Sequence, residues 1–315
     1  MDKQFYQHTE WDARLEADWD KLLQLAVEED LADMGDLTTR ALVAEDAIGR
    51  AAIVARVPGV VAGIPGVVSA LERFDSRLHW TPMLKDGAKV EPGDEIGQIE
   101  GPAAGLLSAE RTVLNFLSRL SGIATLTARY VEAVRRTKAS IYDTRKTVPG
   151  WRRLAKYAVR CGGGQNHRVG LYEAILIKDN HLAFGADGGW SATDRCFTPA
   201  EAVRKAREFV EIHVPAACQS QVIIEIEVDT LQQLEEVLPE RPDIVLLDNM
   251  SPEMLQKAVA CRNDLSPGTD LEASGGVHIE TVRAIAEAGV ERISVGALTH
   301  SAICLDFGLD WLAMV

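Results

Sequence analysis

From Ser140 onward the chain alternates short β-branched runs with helical patterns, and few folds accommodate that alternation. The strand-like runs are 140–143 (SIYD), 174–178 (AILIK), 222–228 (VIIEIEV), 243–248 (DIVLLD), 271–274 (LEAS) and 292–296 (RISVG). Helical stretches follow at 199–209, 230–238, 251–259 and 278–289. Several open on a capping residue, as at Thr198-Pro199, Thr230 and Ser251-Pro252. Strands separated in this way predict a parallel sheet buried on both faces. A polar residue closes nearly every run: Arg145, Lys178, Glu227, Asp248 and Ser274, with Gly296 in that place on the last. In an α/β barrel all strand C-termini converge on one rim, so the pattern reads as a site. An open doubly wound sheet fits the periodicity nearly as well but spreads these ends apart.

Residues 1–125 read differently. A helical start at 11–29 is followed by GRAAIVARVPG (49–59) and DGAKVEPGDEIGQIE (86–100), with turn punctuation every few residues, which predicts an α+β module. The second piece has the rhythm of a lipoyl or biotinyl carrier, but no lysine follows at a hairpin tip; turn chemistry is the better reading. An amphipathic helix at 108–120 puts Arg111 in its first turn, where a cation opposes the helix dipole.

With 315 residues, 47% of them hydrophobic, the chain can bury one large core or two modest ones. Five scattered cysteines without CxxC spacing suggest neither a disulfide framework nor a zinc site. No basic start precedes an apolar run and no long uncharged window occurs, so no export or membrane insertion is expected, and a reducing cytoplasm is the expected compartment. A net charge of -14 disfavours nucleic acid or an anionic membrane as partner. Residues 135–178, however, carry eleven Lys/Arg against two acids, Asp143 and Glu173.

That basic segment holds Arg145-Lys146, His167-Arg168 inside GGGQNHR, and Lys178. Guanidinium forks and a lysine on one rim describe a pocket for a small polyanion. Glycines 162–164 let the backbone approach a ligand closely. Glu227 and Asp248, with Glu225 on the face of Glu227, provide charge balance, ribose-hydroxyl contacts or a Mg²⁺ site completed by phosphate oxygens. EASGGV (272–277) and SVGALTH (294–300) place small residues ahead of helix N-termini, as anion cups do.

Together DTRKTVPGWR (143–152), GGGQNHRVGLYEAILIKDNH (162–181), EIEVD (225–229), LLDNM (246–250), EASGGV and ISVGALTH (293–300) resemble the quinolinate phosphoribosyltransferases, the carboxylating nicotinate-nucleotide pyrophosphorylases. GDLTT (35–39) and ERTVLNFLSRLSGIAT (110–125) extend the resemblance over nearly the whole chain. It implies an α/β fold: an N-terminal α+β sandwich domain at 1–125, joined by 301–315, and an incomplete, TIM-like α/β barrel at 126–300. The implied quinolinate pocket is Arg145, His167, Arg168 and Lys178, with Arg111 reaching in from the partner of a homodimer. The implied phosphoribosyl pyrophosphate site is Lys146, Glu227, Asp248, Ser274, Gly275, Gly296 and His300, with Mg²⁺ at Glu227 and Asp248. Lys146, Lys178, Glu227 and Asp248 are the implied catalytic set. The implied reaction makes nicotinate mononucleotide, CO₂ and pyrophosphate, a step of NAD biosynthesis. Residues 182–198 and 211–221 are longer than this pattern predicts. The competing readings are a same-fold relative that ribosylates another acid or serves molybdate uptake, a Schiff-base aldolase using Lys178, and a non-catalytic carrier.

Overall fold

The computed structural model describes residues 6–184 and 196–313. In chain order its strands are β1 (Ile48–Ala55), β2 (Gly59–Val60), β3 (His79–Pro82), β4 (Lys89–Val90), β5 (Glu95–Pro102), β6 (Ser140–Tyr142), β7 (Ala174–Ile177), β8 (Ile223–Val228), β9 (Ile244–Asp248), β10 (Asp270–Ser274), β11 (Arg292–Ser294) and β12 (Phe307–Trp311). They fall into two compact units. One comprises residues 8–129, 146–164 and 297–315; the other comprises 1–7, 130–145 and 165–296. The expected division was 1–125 joined by 301–315 against 126–300, whereas residues 6–7 fall with the second unit and 146–164 with the first. Local periodicity carries no information about which sheet a short connecting segment packs on.

The first unit is built on the antiparallel sheet β12-β1-β5-β3, with a two-stranded β2-β4 beside it in the chain. Ala51 to Ala55 of β1 are all buried, and β12 pairs along them from Ala51↔Trp311 to Ala55↔Phe307. Its long helix, Ala103–Ala133, has 31 residues and starts directly where β5 ends. The sequence reading began this helix only at 108 and ended it at 120. Leu106, Ala109, Val113, Phe116, Leu117, Leu120 and Ile123 are buried at helical spacing, and that continuous apolar face outweighs the weak propensity of Gly105. Arg111 is therefore the helix's ninth residue, exposed on its surface, and the dipole argument made for it does not apply.

The second unit is the parallel sheet β6-β11-β10-β9-β8-β7. Read from β7, the order runs 7-8-9-10-11-6, a cyclic rotation of the chain order with no reversal. A doubly wound sheet reverses at a switch point; a barrel does not. Among the described residues β6 and β7 do not pair, so the barrel is incomplete, and a single parallel bridge, Tyr142↔Gln165, continues the sheet beyond β6. The expected caps are present: Thr198 and Thr230 form capping boxes with Glu201 and Gln233, and Ser251 accepts from the Met254 N–H. The helix expected at 278–289 is only Val282–Glu287, because residues 278–281 form a turn in which the His278 N–H donates to Thr281 Oγ1 at 3.0 Å. Gly275 and Gly276 thus do not lead straight into a helix. Of the unusual segment at 182–198, residues 185–195 lie outside the described residues. No described helix is long and apolar enough to cross a membrane.

One partly buried ion cluster ties β10 and β11 to the helix Pro252–Leu265. Glu291 accepts two hydrogen bonds of 2.9 Å from Arg262, one of 2.6 Å from Lys138 and one of 3.0 Å from the Leu271 N–H. Burial alone would raise its pKa, but the Arg262 and Lys138 hydrogen bonds hold it down at about 2. A depressed carboxyl pKa stabilises the fold above the unfolded-state value, and that contribution fades as pH falls toward the folded one. Glu291→Gln is expected to cost roughly 2 kcal/mol at pH 7. Urea titrations should show the gap between wild type and variant closing as pH drops from about 4.5 toward 2; a gap independent of pH would contradict the assignment.

Candidate active site at the strand ends

The period of two sorts strand residues into layers. Ile223, Glu225 and Glu227 share a face of β8, Ile244, Leu246 and Asp248 a face of β9, Asp270, Glu272 and Ser274 a face of β10, and Arg292 and Ser294 a face of β11. Glu227 stands opposite Leu246, and Asp248 opposite Ser274. Lys178, Glu227, Asp248 and Ser274 are half-buried at the strand ends, while Glu225 and Glu272, two residues earlier, are buried. Lys178 Nζ pairs with Glu227 Oε2. After β10 the chain turns through Gly275 at φ +84°, and a Cβ there would lie 2.9 Å from the Asn249 N. This position requires glycine, which lets the loops following β9 and β10 close on each other, with Asn249 N–H donating to Ser274 O at 2.8 Å.

Beside β6, Asp143 anchors the segment that carries the next two site residues. Its fully buried carboxylate accepts from Asn166 Nδ2 at 2.7 Å and from the His167 N–H at 2.8 Å. The buried Arg168 guanidinium donates to Ala174 O at 2.9 Å. Burial and then the nearby Arg145 guanidinium pull the Arg168 pKa below its usual value. Both arginines also have a buried Nε that finds no hydrogen-bond acceptor among the described residues. Two guanidiniums drawn together, each with a buried Nε that lacks an acceptor among the described residues, form a receptor for carboxylate or phosphate oxygens.

His167 lies deeper. Its Nδ1 accepts the Arg168 N–H at 2.8 Å, and its Nε2 faces Glu225 at 3.1 Å and Glu272 at 3.5 Å. Burial opposes a second proton on the ring, while the two carboxylates favour it and raise the pKa above the ordinary histidine value. That proton would have to displace the Arg168 N–H from Nδ1; the contacts present are those of the Nε2–H tautomer. Arg292 completes this layer, donating to Glu272 at 2.7 Å with its guanidinium 3.7 Å from the centre of the Tyr142 ring. The Tyr6 hydroxyl donates to Glu225. Burial, then Glu225 and Glu272, push its phenol pKa far up, so it stays a donor.

His167, Glu225 and Glu272 bring one ligand atom each within 4.8 Å of one another. They do not fit a metal ion, because Nε2 must be deprotonated to ligate and here Nδ1 is the acceptor, and Arg292 already supplies the positive charge. Glu227 and Asp248 do fit Mg²⁺: they are hard oxygen donors on adjacent strand ends, where a phosphate-bearing ligand would supply the remaining oxygens.

Of the residues expected from the sequence, the second unit holds Arg145, His167, Arg168, Lys178, Glu227, Asp248, Ser274, Gly275 and Gly296. Lys146, His300 and Arg111 belong to the first unit: Lys146 O accepts from Thr299 Oγ1 at 2.8 Å, and His300 Nδ1 lies 2.7 Å from Ser301 Oγ. Tyr6, Glu272 and Arg292 were not singled out. For Glu272 and Arg292 the signal was present, since stepping back by twos from Ser274 and Gly296 reaches a charge inside an apolar strand. For Tyr6 no local signal exists.

Comparison with known proteins agrees with this geometry. The family model of the quinolinate phosphoribosyl transferase C-terminal domain matches residues 123–310, and that of the N-terminal domain matches 36–121. A Mycobacterium leprae protein named nicotinate-nucleotide pyrophosphorylase [carboxylating] is 41% identical over 290 residues, covering 91% of this chain and 95% of its own. A Bacillus subtilis protein, named as a probable enzyme of the same kind, is 40% identical over 291 residues, 92% of each chain. The solved structure of the Francisella tularensis nicotinate-nucleotide pyrophosphorylase superposes with a TM-score of 0.85 at 33% identity, covering 98% of this chain and all of that one. Two domain models in order, relatives matched nearly end to end and a shared architecture place the chain in one family: it belongs to the quinolinate phosphoribosyltransferases.

Proposed function

We propose that the chain transfers the phosphoribosyl group of phosphoribosyl pyrophosphate to quinolinate and decarboxylates the product, giving nicotinate mononucleotide, CO₂ and pyrophosphate. The observation that carries this reading is the Arg145–Arg168 pair, whose buried Nε groups and mutual repulsion call for a carboxylate-bearing ligand. Arg145 and Arg168 hold the quinolinate dianion so that its ring nitrogen faces the anomeric carbon. That nitrogen forms the new C–N bond as the C–O bond to pyrophosphate breaks and the electron pair leaves with pyrophosphate. The quaternised ring then accepts the electron pair released when the adjacent carboxylate departs as CO₂, and the carbanion takes up a proton.

Lys178 and Glu227, already paired, and Asp248 line the strand ends where charge changes, and their contribution is positioning and electrostatics rather than covalent chemistry. Glu227 and Asp248 would hold Mg²⁺, which when bound would supply charge neutralisation for the leaving pyrophosphate. From the family resemblance, Lys146 faces pyrophosphate, Ser274, Gly275, Gly296 and His300 complete the phosphoribosyl site, and Arg111 is contributed by the partner in a homodimer. The five cysteines are free thiols, consistent with a reducing cytoplasm as the compartment.

The test is to incubate the purified chain with quinolinate, phosphoribosyl pyrophosphate and Mg²⁺, and to follow CO₂ and nicotinate mononucleotide, with nicotinate as the control substrate. Product and CO₂ in equal amounts from quinolinate alone are expected, and chelating the metal should lower turnover by at least about 10²-fold. Product from nicotinate instead would overturn the substrate assignment, and full turnover in excess chelator would remove Mg²⁺ from the proposal.

A further inference from the structure

Tyr6 stands apart from the strand-end site in sequence and in level. It shares a buried cluster with Ala174, Ile223 and Ile244, the first residues of β7, β8 and β9, so it lies at the strand starts, beneath the charged layer. Its ring stacks on the His167 imidazole, with centroids 4.5 Å apart and planes 27° from parallel. Its hydroxyl donates to Glu225, the carboxylate that also receives His167 Nε2–H. A second tie follows at once: the Gln7 N–H donates to Glu173 Oε1 at 3.3 Å, and Glu173 Oε2 accepts from the N–H of Val169, the residue after Arg168. Residues 6 and 7 therefore clamp the His167-Arg168 dipeptide by its ring and by the backbone that follows it.

The clamp bears on Arg168 because the Arg168 N–H donates into the His167 ring. A rotated or tautomerised imidazole would present an N–H to that N–H, and the Arg168 backbone would have to move. The groups facing His167 also include Asp143, which takes its N–H, Glu225 and Glu272 at Nε2, and Arg292, bound to Glu272. Tyr6 covers a face of the ring by stacking. We propose that Tyr6 is a positioning residue for the anion site: it holds His167 in the Nε2–H tautomer and thereby fixes the direction in which Arg168 presents its guanidinium. The consequence for quinolinate rests on the function proposed above; the consequence for the His167 tautomer does not.

The test uses the full-length chain with ¹⁵N-labelled histidine, His167 being assigned by loss of its signals in His167→Asn. Wild type is expected to show one Nε2–H tautomer, Tyr6→Phe to keep it through the retained ring stack, and Tyr6→Ala to show averaged tautomers. In steady-state assays, Tyr6→Ala should raise KM for quinolinate roughly tenfold while KM for phosphoribosyl pyrophosphate changes less than about twofold. Tyr6→Phe, having lost one hydrogen bond but not the stack, should restore quinolinate KM to within about threefold of wild type. An unchanged His167 signature in a folded Tyr6→Ala protein would overturn the proposal, and so would equal losses for both substrates, which would make Tyr6 a plug of the barrel and nothing more. A wild type that neither binds nor turns over quinolinate would overturn the proposed function, and the tautomer spectra would still decide the role of Tyr6.

Discussion

Arg145→Ala is expected to lower kcat/KM for quinolinate by about 10³-fold, about 4 kcal/mol, since it strips a desolvated charge from one end of a charge-assisted contact. The loss should fall mainly on quinolinate KM, because a carboxylate held equally in ground and transition states contributes uniform binding. Stability should move the other way. Arg145 depresses the pKa of Arg168, so the folded chain holds two like charges together, and removing one relieves that repulsion. Thermal melts and steady-state kinetics on the same preparation check both halves. A variant that loses activity together with melting temperature would show Arg145 to be structural, and one that keeps wild-type quinolinate KM would refute the receptor. Removal of Arg168 is a poorer test, because its guanidinium also holds Ala174 O and the residue is buried.

The largest change in stability is expected from Arg292→Ala. Arg292 is 2% exposed, donates to Glu272 and lies over the Tyr142 ring. Burial lowers its pKa, and Glu272 more than reverses that, so it is a permanent cation between two buried acids. Its removal leaves Glu272 and Glu225 without that positive charge, which should cost about 3–5 kcal/mol in urea denaturation. Arg292→Lys should recover little, since an ammonium reproduces neither the planar contact with Tyr142 nor the direction of the Nε hydrogen bond. Arg292→Met combined with Glu272→Met should be less destabilised than Arg292→Ala, as removing a whole buried pair costs less than orphaning one member. A double variant at least as unstable as the single one would show that the pair is not the reason for the loss.

These two variants mark how far the sequence could be read. Arg145 and Arg168 were legible because each stands in a glycine- or strand-punctuated motif, and the period of two carries Lys178, Glu227, Asp248 and Ser274 to consecutive strand ends. The six strands of the parallel sheet were placed to within a residue or two, since short buried strands between capped helices leave little freedom. The long helix was cut short because Pro102 and Gly105 look like turn residues, and only its packed face shows that it starts directly after Pro102 and runs through Gly105. The supposed dipole conflict of Arg111 was a product of that error.

Side-chain alternation and capping chemistry act over a few residues, and so the order of strands and helices, the face each strand turns inward and the cations of the rim follow from the chain's own text. Assignment of residues 6–7 to the barrel and of 146–164 to the other unit does not, nor do the stacking of Tyr6 on His167 or the tautomer that Arg168 imposes on that ring. Tyr6 and Glu225 are 219 residues apart, and their hydrogen bond exists only because Tyr6 packs against the starts of β7, β8 and β9, which brings the hydroxyl under the carboxylate. Local chemistry set which groups the chain could offer; the packing around the parallel sheet decided which of them meet.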